Sequence, residues 1–210
     1  MSKFLGKRAK QEPYVYGEQP KDKKYIKINT NENPYGPSPK ALKLLNESNW
    51  EILKLYSDPT SKEITEAISK FYDVSPNKVY VGNSSDEVLS FSWLAFFDKG
   101  DTIVYPDITY SFYTVFSKLY DITENIVPLN EDFSMNLDGM SEVEAKGIVI
   151  TNPNAPTGIA LSLDEIECFL KRNSNKLVIV DEAYIDFGSE SAVKLIDKYD
   201  NLLVVQTFSK

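Results

Sequence analysis

From residue 78 onward, apolar positions gather into short runs: Lys78–Val81, Thr102–Tyr105, Asn125–Leu129, Gly147–Thr151, Leu177–Val180 and Leu202–Gln206. Several are continuously apolar and β-branched, as strands buried on both faces must be. Between most of them the pattern takes a helical period, over about 84–98, 109–120, 162–172 and 189–199. Strands alternating with helices predict an α/β fold: a mainly parallel sheet with helices on both faces, joined by right-handed crossovers.

The chain ahead of these runs is organised differently. Residues 1–37 are rich in Pro, Gly, Asn and Lys and read as an extended N-terminal arm, with Tyr25–Ile28 as its one strand-like piece. The large α/β domain is expected to occupy 38–210. Ser38-Pro39 caps and starts a helix whose apolar face is Leu42 and Leu45, continued by Ile52 and Leu53. Tyr56-Ser57-Asp58-Pro59 breaks it. Thr60 with Glu63 then predicts a capping box ahead of the stripe Ile64, Ala67, Ile68, Phe71.

Composition removes several classes of function. Hydrophobic content of 42% over 210 residues is enough for a sizeable core. The net charge of −8 argues against a nucleic-acid or acidic-membrane surface. There are no histidines, which excludes Ser-His-Asp and Cys-His catalysis and most transition-metal sites. The single cysteine, Cys168, excludes an intrachain disulfide and is expected as a helix-core thiol. The N-terminus lacks the apolar segment of a signal peptide, and the most apolar stretch, Val88–Phe97, is too short to span a bilayer. A cytoplasmic location is the expectation. No GxGxxG follows a strand and no GxxxxGK[ST] occurs, so a flavodoxin-like nucleotide binder has no fingerprint here.

The candidate chemistry lies just after the strands, where open α/β sheets place ligands. Gly82-Asn83-Ser84-Ser85-Asp86-Glu87 opens a helix, whose first-turn N–H groups suit a phosphate, although Ser84 with Glu87 also reads as a capping box. Tyr110 follows the next strand and could stack on a planar ring, but any one of 13 tyrosines is as readily a packing residue. Asn152-Pro153-Asn154-Ala155-Pro156-Thr157-Gly158 is a rigid polar loop. The last two runs deliver Asp181 and Tyr184, then Thr207, Ser209 and Lys210. An acid, a phenol, hydroxyls and an amine together suit pyridoxal phosphate.

Asn31-Glu32-Asn33-Pro34, Gly82–Glu87, Tyr110, Pro153–Gly158, Asp181-Glu182-Ala183-Tyr184 and Ser209-Lys210 stand in the order and spacing of the aspartate-aminotransferase-like family. Within it, the asparagine-rich N-terminal motif and the run DEAYIDF most resemble the histidinol-phosphate aminotransferase branch. The resemblance implies pyridoxal 5'-phosphate as cofactor and transamination between a small amino donor, histidinol phosphate, and 2-oxoglutarate. Lys210 matches the family's Schiff-base lysine, Asp181 the partner of the ring nitrogen, and Tyr184 the donor to the ring's phenolic oxygen. Ser84, Ser85 and Asp86 match the phosphate turn, Thr207 and Ser209 further phosphate donors, and Tyr110 the stacking ring. Tyr56 matches a tyrosine that reaches the neighbouring subunit's phosphate, which implies a homodimer. Asn33 and Tyr35 are expected near the substrate.

This sequence departs from the family in two places. Ala155 stands where the family has an asparagine directly before Pro-Thr-Gly, so Asn154 or Tyr184 is expected to take that contact. Past the matched lysine the family also has a small C-terminal domain, substrate-gripping arginines and one strand inserted inside the sheet, so 210 residues are expected to be a portion of such an enzyme. Within the same resemblance, the rival activities are a threonine-phosphate decarboxylase, an aromatic aminotransferase, or a non-catalytic fragment.

Overall fold

Among the described residues five strands form: β1 (Thr102–Pro106), β2 (Thr123–Val127), β3 (Gly147–Thr151), β4 (Leu177–Asp181) and β5 (Leu202–Val205). All pair in parallel, in the order β2-β1-β3-β4-β5. They belong to a computed structural model that describes residues 17–210 together with Lys3, Phe4, Gly6 and Arg8. The chain divides into two compact units: one contains Gly82–Ser209, the other Val15–Val81 with Lys210. Other residues of the arm's first sixteen lie outside the described set.

The first unit shows why the strand runs are apolar without alternation. Val104, Ile148, Ile150, Val178, Val180 and Leu202 face one side and pack on Ile166, Phe169 and Leu170 of helix α6 (Leu163–Arg172). Ile103, Tyr105, Val149, Ile179 and Val205 face the other, against α3 (Ser84–Phe96) and α4 (Phe112–Tyr120). Leu89 and Trp93 of α3 and Tyr113 of α4 are fully buried there. A parallel sheet covered on both faces must be apolar on both.

The order of the strands locates a crevice. From β1 the chain crosses through α4 to β2 on one side, then returns through α5 (Leu137–Glu142) to β3 on the other. The direction of winding reverses between β1 and β3, the position where such sheets bind ligands. The pairing is also shortest there. β1 and β3 align only at Ile103↔Gly147 and Val104↔Ile148, whereas β3 and β4 align over five residues. Beyond Val104 the two strands share no ladder, and side chains from the following loops span the gap.

Several expectations are corrected. Lys78–Val81 is not a strand: Pro76–Lys78 is a 3-10 turn, and nothing among the described residues pairs with the rest. Tyr25–Ile28 is not a strand either, and Ile26 and Ile28 are exposed. Over 189–199 only a 3-10 turn forms, Ala192–Leu195, and Glu182 Oε1 takes the Ala192 N–H at 2.6 Å. The helix α5 was not expected; Asn136 caps it by accepting from Gly139 N. Cys168 is exposed on α6, because Ile166, Phe169 and Leu170 take the inner face.

In the second unit, α1 (Pro39–Glu47) begins as expected, with Ser38 Oγ accepting from Ala41 N. Ile52 and Leu53 do not extend its face; they lie exposed in a separate 3-10 turn, Trp50–Lys54. The start of α2 (Lys62–Tyr72) is not a Thr60–Glu63 box. Asp58 instead accepts from Thr60 N at 2.9 Å and Lys62 N at 2.8 Å. An acceptor two residues further back thus satisfies the N–H of Lys62, the first residue of the helix. Among the described residues no helix is long and apolar enough to cross a membrane.

Candidate active site

Asp181 is the last residue of β4 and alternates with Val180, so its side chain falls on the α3/α4 face while Glu182 falls on the other. It is 2% exposed. Its Oδ2 meets the phenol of Tyr113 at 2.6 Å, and its Oδ1 accepts from Ala183 N at 3.1 Å. Burial raises its pKa above the ordinary carboxylate value; the two hydrogen bonds pull it down, and the charge of Asp86 pushes it up again. The influence of Asp86 ties the start of α3 to the end of β4.

Asp86 itself accepts from Tyr110 Oη at 2.7 Å. The Tyr110 ring stands edge-on to Tyr113, centroids 5.6 Å apart at 87°, and stacks on Phe112 at 6.0 Å. Tyr113 in turn stacks on Trp93 at 5.9 Å. Burial above all holds the Tyr113 phenol well above its usual range, so it keeps its proton. Four aromatic rings thus form a rigid wall beside the buried acid.

The gap between β1 and β3 is closed by hydroxyls. Tyr113 Oη lies 2.9 Å from Thr151 Oγ1, and Thr151 Oγ1 lies 2.7 Å from Thr109 Oγ1. Thr109 donates to Asn154 Oδ1 at 2.9 Å. The Asn154 amide nitrogen donates to Ile108 O at 3.0 Å and Thr157 Oγ1 at 3.1 Å. Asn154 is 3% exposed, with both ends of its amide engaged inside the protein.

Of the residues singled out from the sequence, Asp86, Tyr110, Asn154 and Asp181 come together in this group. Ser84 and Ser85 begin α3, where the N-cap residue Asn83 makes no side-chain cap and Glu87 Oε2 takes the Asn83 N–H at 2.6 Å. The expected Ser84–Glu87 capping box therefore does not form; only the Glu87 side chain reaches back, and it does so to Asn83. Tyr184 is half-buried three residues past Asp181, at the start of the 3-10 turn Ile185–Phe187. Thr207 and Ser209 bond to each other beyond β5, with Oγ atoms 2.9 Å apart. Asn33, Tyr35, Tyr56 and Lys210 belong to the second unit. In it Asn33 Oδ1 accepts from Tyr35 N at 3.0 Å, and Tyr35 and Tyr56 are exposed.

Sequence reasoning missed Tyr113, Thr109, Thr151 and Glu182. Tyr113 reads as helix core, and its only signal is a hydroxyl in a stripe that Phe would fill equally well. Glu182 is 1% exposed on the opposite face of the sheet. It accepts from Ser191 Oγ and Gln206 Nε2, both at 2.7 Å, locking the exits of β4 and β5 together. Among the described residues no group of three or more His, Cys, Asp or Glu could hold a metal.

A phosphate-suited helix start, an aromatic wall and a buried acid at a switch point define a class before any relative is considered. Residues 23–210 match the family described as aminotransferase class I and II, and the chain belongs to it. It is 53% identical over 212 residues to a histidinol-phosphate aminotransferase of Brachyspira hyodysenteriae, covering 100% of this chain and 60% of that protein. To the histidinol-phosphate aminotransferase of Clostridium botulinum it is 52% identical over 211 residues, covering 100% and 59%. Its fold is shared with histidinol-phosphate aminotransferase from Sinorhizobium meliloti in complex with pyridoxal-5'-phosphate: TM-score 0.78, 22% identity, 86% of this chain and 51% of that one. The chain spans about 60% of the length of the curated relatives it matches.

Proposed function

We propose that this site binds pyridoxal 5'-phosphate, and that the protein moves an amino group between histidinol phosphate and 2-oxoglutarate, giving imidazole acetol phosphate and glutamate. The observation that carries this reading is Asp181: a carboxyl 2% exposed at a strand end, faced by the Tyr110–Tyr113 wall and by the start of α3. A buried acid suits a basic ring nitrogen, because it can share a proton with that nitrogen and balance its charge where water cannot. The names carried by relatives at 52–53% identity point to the substrate. The cofactor, when bound, supplies an electron-accepting ring.

The residues then divide the work. Asp181 would hold the ring nitrogen in its protonated form, and Tyr110 would offer an aromatic face to the ring. The first-turn N–H groups of Ser84, Ser85 and Asp86 hold the phosphate by charge and hydrogen bonding, with Thr207 and Ser209 as hydroxyl donors. Tyr184 donates to the phenolic oxygen. Asn154 was the alternative for that contact; with its own amide engaged by Thr109, Ile108 and Thr157, it shapes the loop around the site. Lys210 Nζ would take the covalent link and carry the proton at the substrate's Cα, work that needs a neutral amine for part of the cycle. Asn33 and Tyr35 face the substrate, and Tyr56 serves the neighbouring subunit of a cytoplasmic homodimer.

The test is reductive trapping in the whole protein with borohydride, followed by peptide mapping. The expected result is one phosphopyridoxyl group, on Lys210. A label elsewhere, or none, refutes the site. Turnover of O-phosphothreonine or an aromatic amino acid, with none of histidinol phosphate, refutes the substrate.

A further inference from the structure

The hydroxyl chain beside Asp181 does not balance unless the acid carries a proton. Five oxygens stand in line: Asp181 Oδ2, Tyr113 Oη, Thr151 Oγ1, Thr109 Oγ1 and Asn154 Oδ1. Their four contacts are 2.6, 2.9, 2.7 and 2.9 Å, all within hydrogen-bonding distance. Each contact needs one proton between its oxygens. Tyr113, Thr151 and Thr109 own one each, which makes three for four contacts.

The far end cannot supply the fourth. Asn154 presents its oxygen to Thr109, because its nitrogen faces the carbonyl of Ile108 at 3.0 Å, and a carbonyl only accepts. The near end can. Asp181 Oδ1 accepts from Ala183 N and so acts as the carbonyl oxygen of an acid, leaving Oδ2 to bear the hydrogen. The direction is then fixed throughout: Asp181 donates to Tyr113, Tyr113 to Thr151, Thr151 to Thr109, and Thr109 to Asn154. Were Asp181 ionised, one pair of oxygens in this line would face each other with no hydrogen between them.

We propose that Asp181 is a neutral carboxylic acid in the cofactor-free protein, and that Thr151 and Thr109 are positioning residues that keep its proton in place. The groups facing it agree. Asp86 on α3 is an acid whose charge opposes a second one; Tyr110 and Tyr113 are phenols; the Ala183 N–H is the one backbone donor; and Glu182 points to the opposite face. No cation faces it from these elements. The use of this proton rests on the cofactor reading above. With a ring nitrogen bound there, Asp181 would give up this proton to it, its O–H bond breaking as an N–H bond forms, and the carboxylate left behind would neutralise the new cation.

The count makes an unusual prediction. Thr151→Val splits the line into Tyr113–Asp181 and Thr109–Asn154, two contacts for two protons, so Asp181 no longer needs its own. Losing a hydroxyl two oxygens away therefore makes the acid stronger. The expected fall in its apparent pKa is about one unit or more, the scale set by one buried unpaired polar contact. Thr151→Ser keeps the hydroxyl and should behave as the parent. Thr109→Val, with the same count, stands in if Thr151→Val does not fold.

The measurement is infrared spectroscopy of the whole protein freed of cofactor and labelled with carboxyl-13C aspartate, with the Asp181→Asn spectrum subtracted to isolate one group. At pH 7 an acid carbonyl band is expected in the parent and in Thr151→Ser, and its loss or a clear acid shift of its midpoint in Thr151→Val. A carboxylate signal in the parent overturns the proposal. So does an acid band unchanged in Thr151→Val and Thr109→Val, since burial alone would then hold the proton. No cofactor takes part in the measurement, so it can fail while trapping at Lys210 succeeds, and the reverse.

Discussion

Tyr113→Phe removes one oxygen from the middle of the site and almost nothing else. The ring keeps its contacts: Trp93 at 5.9 Å, Tyr105 at 5.5 Å and Tyr110 at 5.6 Å. Packing is therefore conserved and the loss is one of hydrogen bonding. Two bonds go, to Asp181 at 2.6 Å and to Thr151 at 2.9 Å. Thr151 still has Thr109 at 2.7 Å, so its share is small, about 1 kcal/mol. Asp181 Oδ2 is left buried without a partner, which costs roughly 1–3 kcal/mol. The sum is about 2–4 kcal/mol. In urea, with a slope of roughly 2 kcal/mol per molar, the unfolding midpoint should fall by about 1–2 M with little change in slope. A shift worth less than about 0.5 kcal/mol would mean that water reaches Asp181, and would sink the account of a closed hydroxyl line.

Two further predictions concern the sheet and its acid. A Cβ on Gly147 would lie 2.5 Å from Phe97 Cζ and 2.8 Å from its Cε1, and Phe97 is itself only 6% exposed. Gly147→Ala should therefore cost about 1–3 kcal/mol by overpacking, and pairing it with Phe97→Leu should restore part of the loss; thermal melts of the two variants check this. The folded state raises the pKa of Asp181 above that of the unfolded chain, so it binds the proton more tightly. The stability gained is complete below about pH 4, the unfolded value, and is lost as pH climbs through the folded value. Melting temperatures of the parent and Asp181→Asn across that range should diverge, the parent losing ground as pH rises. A constant gap, or the opposite trend, would refute the burial argument. Glu182, raised in the same direction, is present in both proteins and cancels.

Much of the sheet was readable in advance. Gly147–Thr151 formed within the expected limits, and Leu177–Val180 needed only Asp181 added. Their Val and Ile residues have no polar alternation, and local chemistry alone demands cover on both faces. The positions of Asp86, Tyr110 and Asp181 were likewise legible: Asp181 directly follows an apolar run, Tyr110 comes a few residues after one, and Asp86 lies in the opening turn of a helix. The run at 78–81 looked the same and is not a strand. A strand exists only with a neighbour to pair with, and no local pattern reveals whether one is there.

What the chain specified by itself was a set of elements and the chemistry at their ends. The fold decided which of those groups would lose water. Asp181 and Glu182 are adjacent acids that look alike in sequence, yet the two-residue period of the strand sends one to the aromatic wall and the other to Ser191 and Gln206. Tyr113 became part of the site because α4 lays it across the end of β4, 68 residues away in the chain. Thr109 and Thr151 met because β1 and β3 part after two aligned pairs. Burial, and with it the proton balance of the site, depends on such distant contacts, and a linear pattern of residues cannot carry them.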